Sequence, residues 1–186
     1  MTFDPANRMA IPEEDPAAAQ TRNERLRAMG VTDQPFPELD AIAEQLREIT
    51  GASYAMVNFV IDGRQYFAGL STPSGPQTLE TGGAEPGREM ELDQGFCPHV
   101  VSRGTALPLA DVCAYPRFAG NRVVDELGVR TYLGAPVKDP SSGVTLGTVC
   151  VIDTEPIPWT KQDVENIKGV AEQVTTVLQR HERGQA

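Results

Sequence analysis

The stretch YAMVNFVI, residues 54–61, constrains the fold more than any other part of the chain. It is nearly all apolar and rich in the β-branched and aromatic residues that suit a pleated, buried surface. We expect a central strand here, buried on at least one face. Asp62-Gly63 follows directly and favours the tight turn of a hairpin. Residues 64–70, RQYFAGL, are then the returning strand. Two further strands are expected at 129–138 and 144–153, with the loop Asp139-Pro140-Ser141-Ser142-Gly143 between them.

Amphipathic helices flank these strands. Over residues 37–50, Leu39, Ile42, Ala43, Leu46 and Ile49 recur at helical spacing, and Gly51 supplies the C-cap. Near the C-terminus, Thr160 and Asp163 form a partial capping box for a second helix. Val164, Ile167, Ala171, Val174 and Leu178 form an a/d stripe along it, about two heptads long. That stripe serves either as a homodimer seam or as packing against the helix's own sheet. The element order predicts an α+β fold with a five- or six-stranded, largely antiparallel sheet. Both helices belong on one face, and residues 95–118 cover the other. Residues 1–20 carry Pro5, Pro12 and Pro16, four acids and an alanine run, and are expected to be a disordered leader. A single domain then spans 21–182, with a short helix over 21–29 and a tail at 183–186. Residues 71–88 are dense in Gly, Pro, Ser and Thr and read as a lid or disordered insertion.

Charge and composition narrow the function classes. The net charge is −10 and the sequence pI about 4.6. No Lys/Arg cluster resembles a nucleic-acid footprint, and the acidic field disfavours phosphate backbones and anionic membranes. No run approaches the roughly 18 apolar residues of a membrane span. No basic start precedes an apolar stretch, so a soluble, cytoplasmic protein with reduced thiols is the expectation. The three cysteines show neither CxxC nor metal-ligand spacing, and no metal site is assigned.

Residues 95–117, GFCPHVVSRGTALPLADVCAYPR, hold the unusual chemistry. Pro98 is tolerated only in a first helical turn, so a helix through His99–Ser102 starts near 95–97 and ends at Gly104. Cys97 then lies at the positive end of that helix, where a thiolate is favoured, although buried cysteines are commonly inert. Residues 106–110 read as a short edge strand because of Pro108. His99 suits either haem iron or a ligand carboxylate, or plain hydrogen-bonded packing. Arg117 fits an anion or an ion pair with Asp111. Phe96, Cys97, His99, Asp111, Arg117, Phe118 and Tyr132 are the candidate ligand-binding set. Cys150, in a strand, is read as structural. No metal-ligand cluster and no Ser-His-acid arrangement suggests catalysis.

Taken in order, RLRAMGVTDQPFPELDAIAEQLREITG, AMVNFVIDGRQYF, GFCPHVV, LADVCAYPRF, VRTYLGAPV and TLGTVCVID resemble a GAF domain. The resemblance spans residues 22–180 and is nearest to the subgroup with Phe-Cys-x-His before Asp-x-x-x-x-Pro-Arg-Phe. Tyr115 stands where that subgroup often has an acid, and Arg122 where a proline commonly follows the asparagine. The resemblance implies a PAS-related sensory fold that binds a small molecule, with haem or another tetrapyrrole among the family's ligands. It further implies signalling through a homodimer or a partner protein. The alternative it raises is a thiol-dependent enzyme like the GAF-fold free methionine-(R)-sulfoxide reductases, with Cys97 and Cys113 as the functional thiols.

Overall fold

The computed structural model describes residues 11–73, except 33 and 35, and 88–185. Six strands form one antiparallel sheet in the order β3-β2-β1-β6-β5-β4. They are β1 Tyr54–Ile61, β2 Arg64–Ser71, β3 Glu89–Glu91, β4 Leu107–Leu109, β5 Thr131–Lys138 and β6 Thr145–Asp153. The β1–β2 turn is the expected Asp62-Gly63, with φ of 50° and 78°. Both residues are left-handed, as a type I′ hairpin turn requires. The α+β expectation and the six-strand count hold. β3 lies within no strand expected from the sequence, because three residues pairing with β2 leave no periodic signal.

Alternate residues of β1, β5 and β6 divide between two layers. Ala55, Val57 and Phe59 of β1, with Leu133, Ala135 and Val137 of β5, face a large apolar core. Three helices cover that face: α1 Pro16–Ala28, α2 Pro37–Thr50 and α6 Lys161–Gln185. In α6, Ile167, Ala171, Val174 and Leu178 are all buried in this core. Val164 packs at its edge. The stripe is therefore occupied by the helix's own sheet and is not free to act as a homodimer seam. Thr160 and Asp163 complete the capping box reciprocally, at 2.8 and 3.1 Å.

α1 begins at Pro16, inside the segment expected to be a disordered leader, with Asp15 as its N-cap. Its anchors are partly ionic, which apolar periodicity does not reveal. Arg22 is buried, donates to the Val60 carbonyl at 2.8 Å and pairs with Glu14. Arg25 reaches Asp139 at 2.9 Å and Glu182 at 2.7 Å, joining α1 to the β5–β6 turn and to α6. α6 continues through the expected tail to Gln185. Residues 1–10, and 74–87 of the expected lid, lie outside the described residues.

Candidate functional site

The opposite face of the sheet is covered by short elements and turns. Helix α3, Cys97–Arg103, starts where Pro98 requires and is closed by Gly104 in the left-handed conformation. A 3-10 turn at Val112–Ala114, a single helical turn α4 Pro116–Ala119 and helix α5 Arg122–Leu127 complete the layer. Asp111 caps the 3-10 turn by accepting from the Cys113 amide at 3.0 Å. Two buried side chains fix the approach to α3. Asn121 exchanges hydrogen bonds with the backbone of Gly95, at 2.9 and 3.0 Å, while capping α5. Gln65 of β2 donates to the carbonyls of Glu91 and Gln94, at 2.6 and 2.7 Å.

Between α3 and the sheet lies a knot of polar and sulfur atoms inside an apolar layer. Cys97 Sγ sits 3.5 Å from Cys150 Sγ on β6. The Tyr132 hydroxyl donates to the same Cys97 sulfur at 3.4 Å. Tyr132 reaches it because Gly134, two residues on, has no side chain: a Cβ there would stand 2.1 Å from the phenol oxygen. Thr148 shares the Cys150 face of β6, and Asn58 stands opposite Thr148 in the β1–β6 ladder. A bulge in the β1–β2 pairing falls beside Asn58, and such bulges re-aim side chains near functional sites. Asn58 Nδ2 donates to Gln65 Oε1 at 2.8 Å. Asn58 Oδ1 and Thr148 Oγ1 are buried without a hydrogen-bond partner among the described residues.

Hydrogen bonding with Cys150 lowers the Cys97 thiol pKa against the opposing effect of burial, with the Tyr132 hydroxyl adding to it. Cys150, through the same contact and then through burial, is pushed the other way. Of the two thiols, Cys97 is thus the more readily ionised. A cavity of about 30 Å³ opens beside the pair, with Cys97, Cys150, Phe96, Tyr132, Gln65 and Met90 in its wall. By the usual measure this holds about two waters. A larger groove of about 800 Å³ lies between α6 and the Lys138–Pro140 edge, but no buried polar side chain or cysteine lines it.

Of the candidate set, the structure brings Phe96, Cys97 and Tyr132 together at this cavity. His99 and Phe118 form an adjoining group, their rings 5.3 Å apart, and Phe118 packs edge-on to Phe96 at 5.7 Å. His99 is held neutral, its pKa lowered to about 4 by burial and then by Arg117 and Arg103. Asp111 and Arg117 are not brought into the cavity wall. Asp111 pairs with Arg130 at 2.8 Å rather than with Arg117. Arg117 is exposed and lies over the Phe118 ring at 5.7 Å. Cys113 is exposed on the 3-10 turn, and the thiol beside Cys97 is Cys150. Sequence reasoning missed Cys150, Asn58 and Thr148 as site residues. The available signal was the two-residue spacing of Thr148 and Cys150 on β6, but the register that brings Asn58 opposite Thr148 was not legible.

A tetrapyrrole does not fit this arrangement. The cavity is an order of magnitude below the roughly 300–1,000 Å³ of pockets for larger ligands, and His99 is not in its wall. Among the described residues, no group of three His, Cys, Asp or Glu side chains is placed to hold a metal ion. No helix among them is long and apolar enough to cross a membrane.

The sequence model of the GAF domain matches residues 37–178. The chain belongs to the GAF domain family. GAF domains are sensory and regulatory modules, and that general role extends to this one. A cyclic di-GMP phosphodiesterase of Pseudomonas aeruginosa is 34% identical over 86 residues, 45% of this GAF protein. The match spans only 14% of the phosphodiesterase's own length. Among solved structures, free methionine-R-sulfoxide reductase of Neisseria meningitidis, in complex with its substrate, superposes with a TM-score of 0.62 at 15% identity. That alignment covers 96% of this chain and 99% of the reductase. The GAF domain of an Acinetobacter phosphoenolpyruvate-protein phosphotransferase gives 0.59 at 14% identity, over 90% and 95% of the two chains. At such identities the likeness is one of fold.

Proposed function

We propose that this GAF domain is a sensory module that takes a small polar molecule at the cavity between α3 and the sheet, and that it does not turn that molecule over. The observation that carries this reading is the pair of buried, unpartnered oxygens, Asn58 Oδ1 and Thr148 Oγ1, next to the Cys97 sulfur. Leaving a buried polar atom unsatisfied costs roughly 1–3 kcal/mol, and two such oxygens beside one sulfur favour a site over plain packing. Phe96, Cys97 and Tyr132 would meet the ligand first. His99, Phe118 and Arg117 would respond as the α3 layer shifts, and Asp111, through Arg130, would hold the 3-10 turn. The protein works in the cytoplasm and passes its signal to a partner protein or across a homodimer.

For the homodimer we assign the outer faces of α2 and α6. Ile42 and Val177 line a shallow groove there, flanked by Glu38 and Arg180. Light scattering at micromolar concentration should give a dimer for wild type and a monomer for Ile42→Asp. A monomeric wild type would remove this part of the proposal.

A second reading, reduction of free methionine sulfoxide, draws support from the buried thiols and the shared fold. Against it, the cavity is too small for an amino acid unless α3 moves, and Cys113 is not beside Cys97. Two measurements separate the readings. Native mass spectrometry and an absorption spectrum of freshly purified protein should reveal a small bound mass and no chromophore. Free methionine-R-sulfoxide with a thiol reductant should give no turnover with wild type. Turnover that disappears in Cys97→Ser would replace the sensory reading with the reductase.

A further inference from the structure

We propose that Cys97 and Cys150 are a hydroperoxide-sensitive dithiol, oxidised within one chain to a disulfide that ties α3 to the centre of the sheet. The inference stands apart from ligand binding and rests on the sulfur pair itself. The two sulfurs are 3.5 Å apart in the reduced protein. A disulfide brings them to about 2 Å, so closure needs a displacement of an ångström or two at one helix terminus. The pair lies where a small oxidant can enter. Both cysteines line the same cavity of about 30 Å³, whose wall includes the partly exposed Met90, Leu127 and Ile152. A molecule the size of hydrogen peroxide fits such a space, and a bulky peroxide does not.

Roles divide by the hydrogen bonds. Cys97 accepts from the Tyr132 hydroxyl, which no bond to Cys150 matches among the described residues, and this favours its thiolate, the nucleophilic form; the 3.5 Å contact between the sulfurs can be donated from either side. In the first step Cys97 sulfur attacks one oxygen of the hydroperoxide. An S–O bond forms, the O–O bond breaks, and the proton given up by the Cys97 thiol ends on the departing oxygen. The products are a sulfenic acid on Cys97 and an alcohol, or water when the oxidant is hydrogen peroxide. In the second step Cys150 sulfur attacks the Cys97 sulfur. The S–S bond forms, the S–O bond breaks, and the leaving hydroxide takes the Cys150 proton as water. Two thiols are oxidised by two electrons in total, and one hydroperoxide is reduced. A cellular thiol reductant reverses the disulfide by exchange.

The test is stoichiometric hydrogen peroxide added to reduced protein, followed by alkylation under denaturing conditions and non-reducing peptide mapping. Reactive thiols should fall from three to one, with Cys113 still free. The linked peptides should be those of Cys97 and Cys150, within a monomer. Cys97 should be consumed at least tenfold faster than Cys113 in the same molecule. In Cys150→Ser the disulfide should vanish, and dimedone should trap a sulfenic acid on Cys97. Tyr132→Phe should slow Cys97 several-fold at pH 7 and leave it unchanged at pH 9. Equal rates for Cys97 and Cys113, a disulfide through Cys113, or no Cys97–Cys150 link with wild type would overturn the proposal. The wild-type arms suffice if a variant fails to fold.

Discussion

At the scale of single residues, His99 and Tyr132 show how burial assigns protonation. His99 is 2% exposed and its Nε2 finds no acceptor among the described residues. Its folded pKa of about 4 lies below the ordinary 6.5, because burial and then Arg117 and Arg103 oppose the cation. A base with a depressed folded pKa makes the unfolded chain bind more protons in between. Stability is therefore full above pH 6.5 and falls as pH drops towards 4, by roughly 3 kcal/mol at most. The urea midpoint should fall over this window in wild type and fall less in His99→Leu. An identical slope in both proteins would assign the acid loss elsewhere; Asp139, whose carboxyl pKa is lowered from its ordinary value, gives way only below this window. Tyr132 acts on Cys97 directly, and its hydroxyl is a donor in that bond. Tyr132→Phe should raise the Cys97 pKa, read as thiolate absorbance against pH. No change would mean that the Tyr132 hydroxyl does not set the thiol's acidity.

At the scale of elements, the site is made by strands whose small residues let larger ones fold over them. Gly134 on β5 pairs with Cys150 on β6 and leaves room for the Tyr132 ring. Gly134→Ala should displace that ring and destabilise the protein by about 1–3 kcal/mol, as overpacking does. A chemical-denaturation midpoint equal to wild type would show that the ring has another place to go. The terminal helix teaches a different lesson. Val174 is fully buried against the chain's own sheet. Val174→Glu places an unpaired carboxylate in the core and should cost several kcal/mol. The expected outcome is loss of near-ultraviolet circular dichroism, not a folded monomer. A folded, monomeric variant would restore the stripe as a dimer seam.

At the scale of the whole molecule, local signals carried the fold a long way. Helix α2 and the β1–β2 hairpin could be read from periodicity and turn chemistry, and α3 from the placement of Pro98 and Gly104. Of α1, the part from residue 21 was legible through Leu26 and Met29, but its start at Pro16 was not, because Arg22 and Arg25 hold the helix through partners distant in sequence. The site was half legible. Phe96, Cys97 and Tyr132 stood out by residue type, whereas Cys150, Asn58 and Thr148 depend on strand register, which no local pattern fixes. The ion pair of Asp111 with Arg130 rather than Arg117 depends likewise on how β5 returns past the 3-10 turn. The central claim is that the polar atoms beside Cys97 are kept for function and weaken the fold. Thr148→Val tests it most directly, since the two side chains share a shape and differ by the hydroxyl. Urea denaturation should show the variant more stable than wild type by about 1 kcal/mol, because an unpartnered buried hydroxyl is removed. A variant less stable than wild type would mean that Thr148 is a satisfied part of the core, and would contradict the claim.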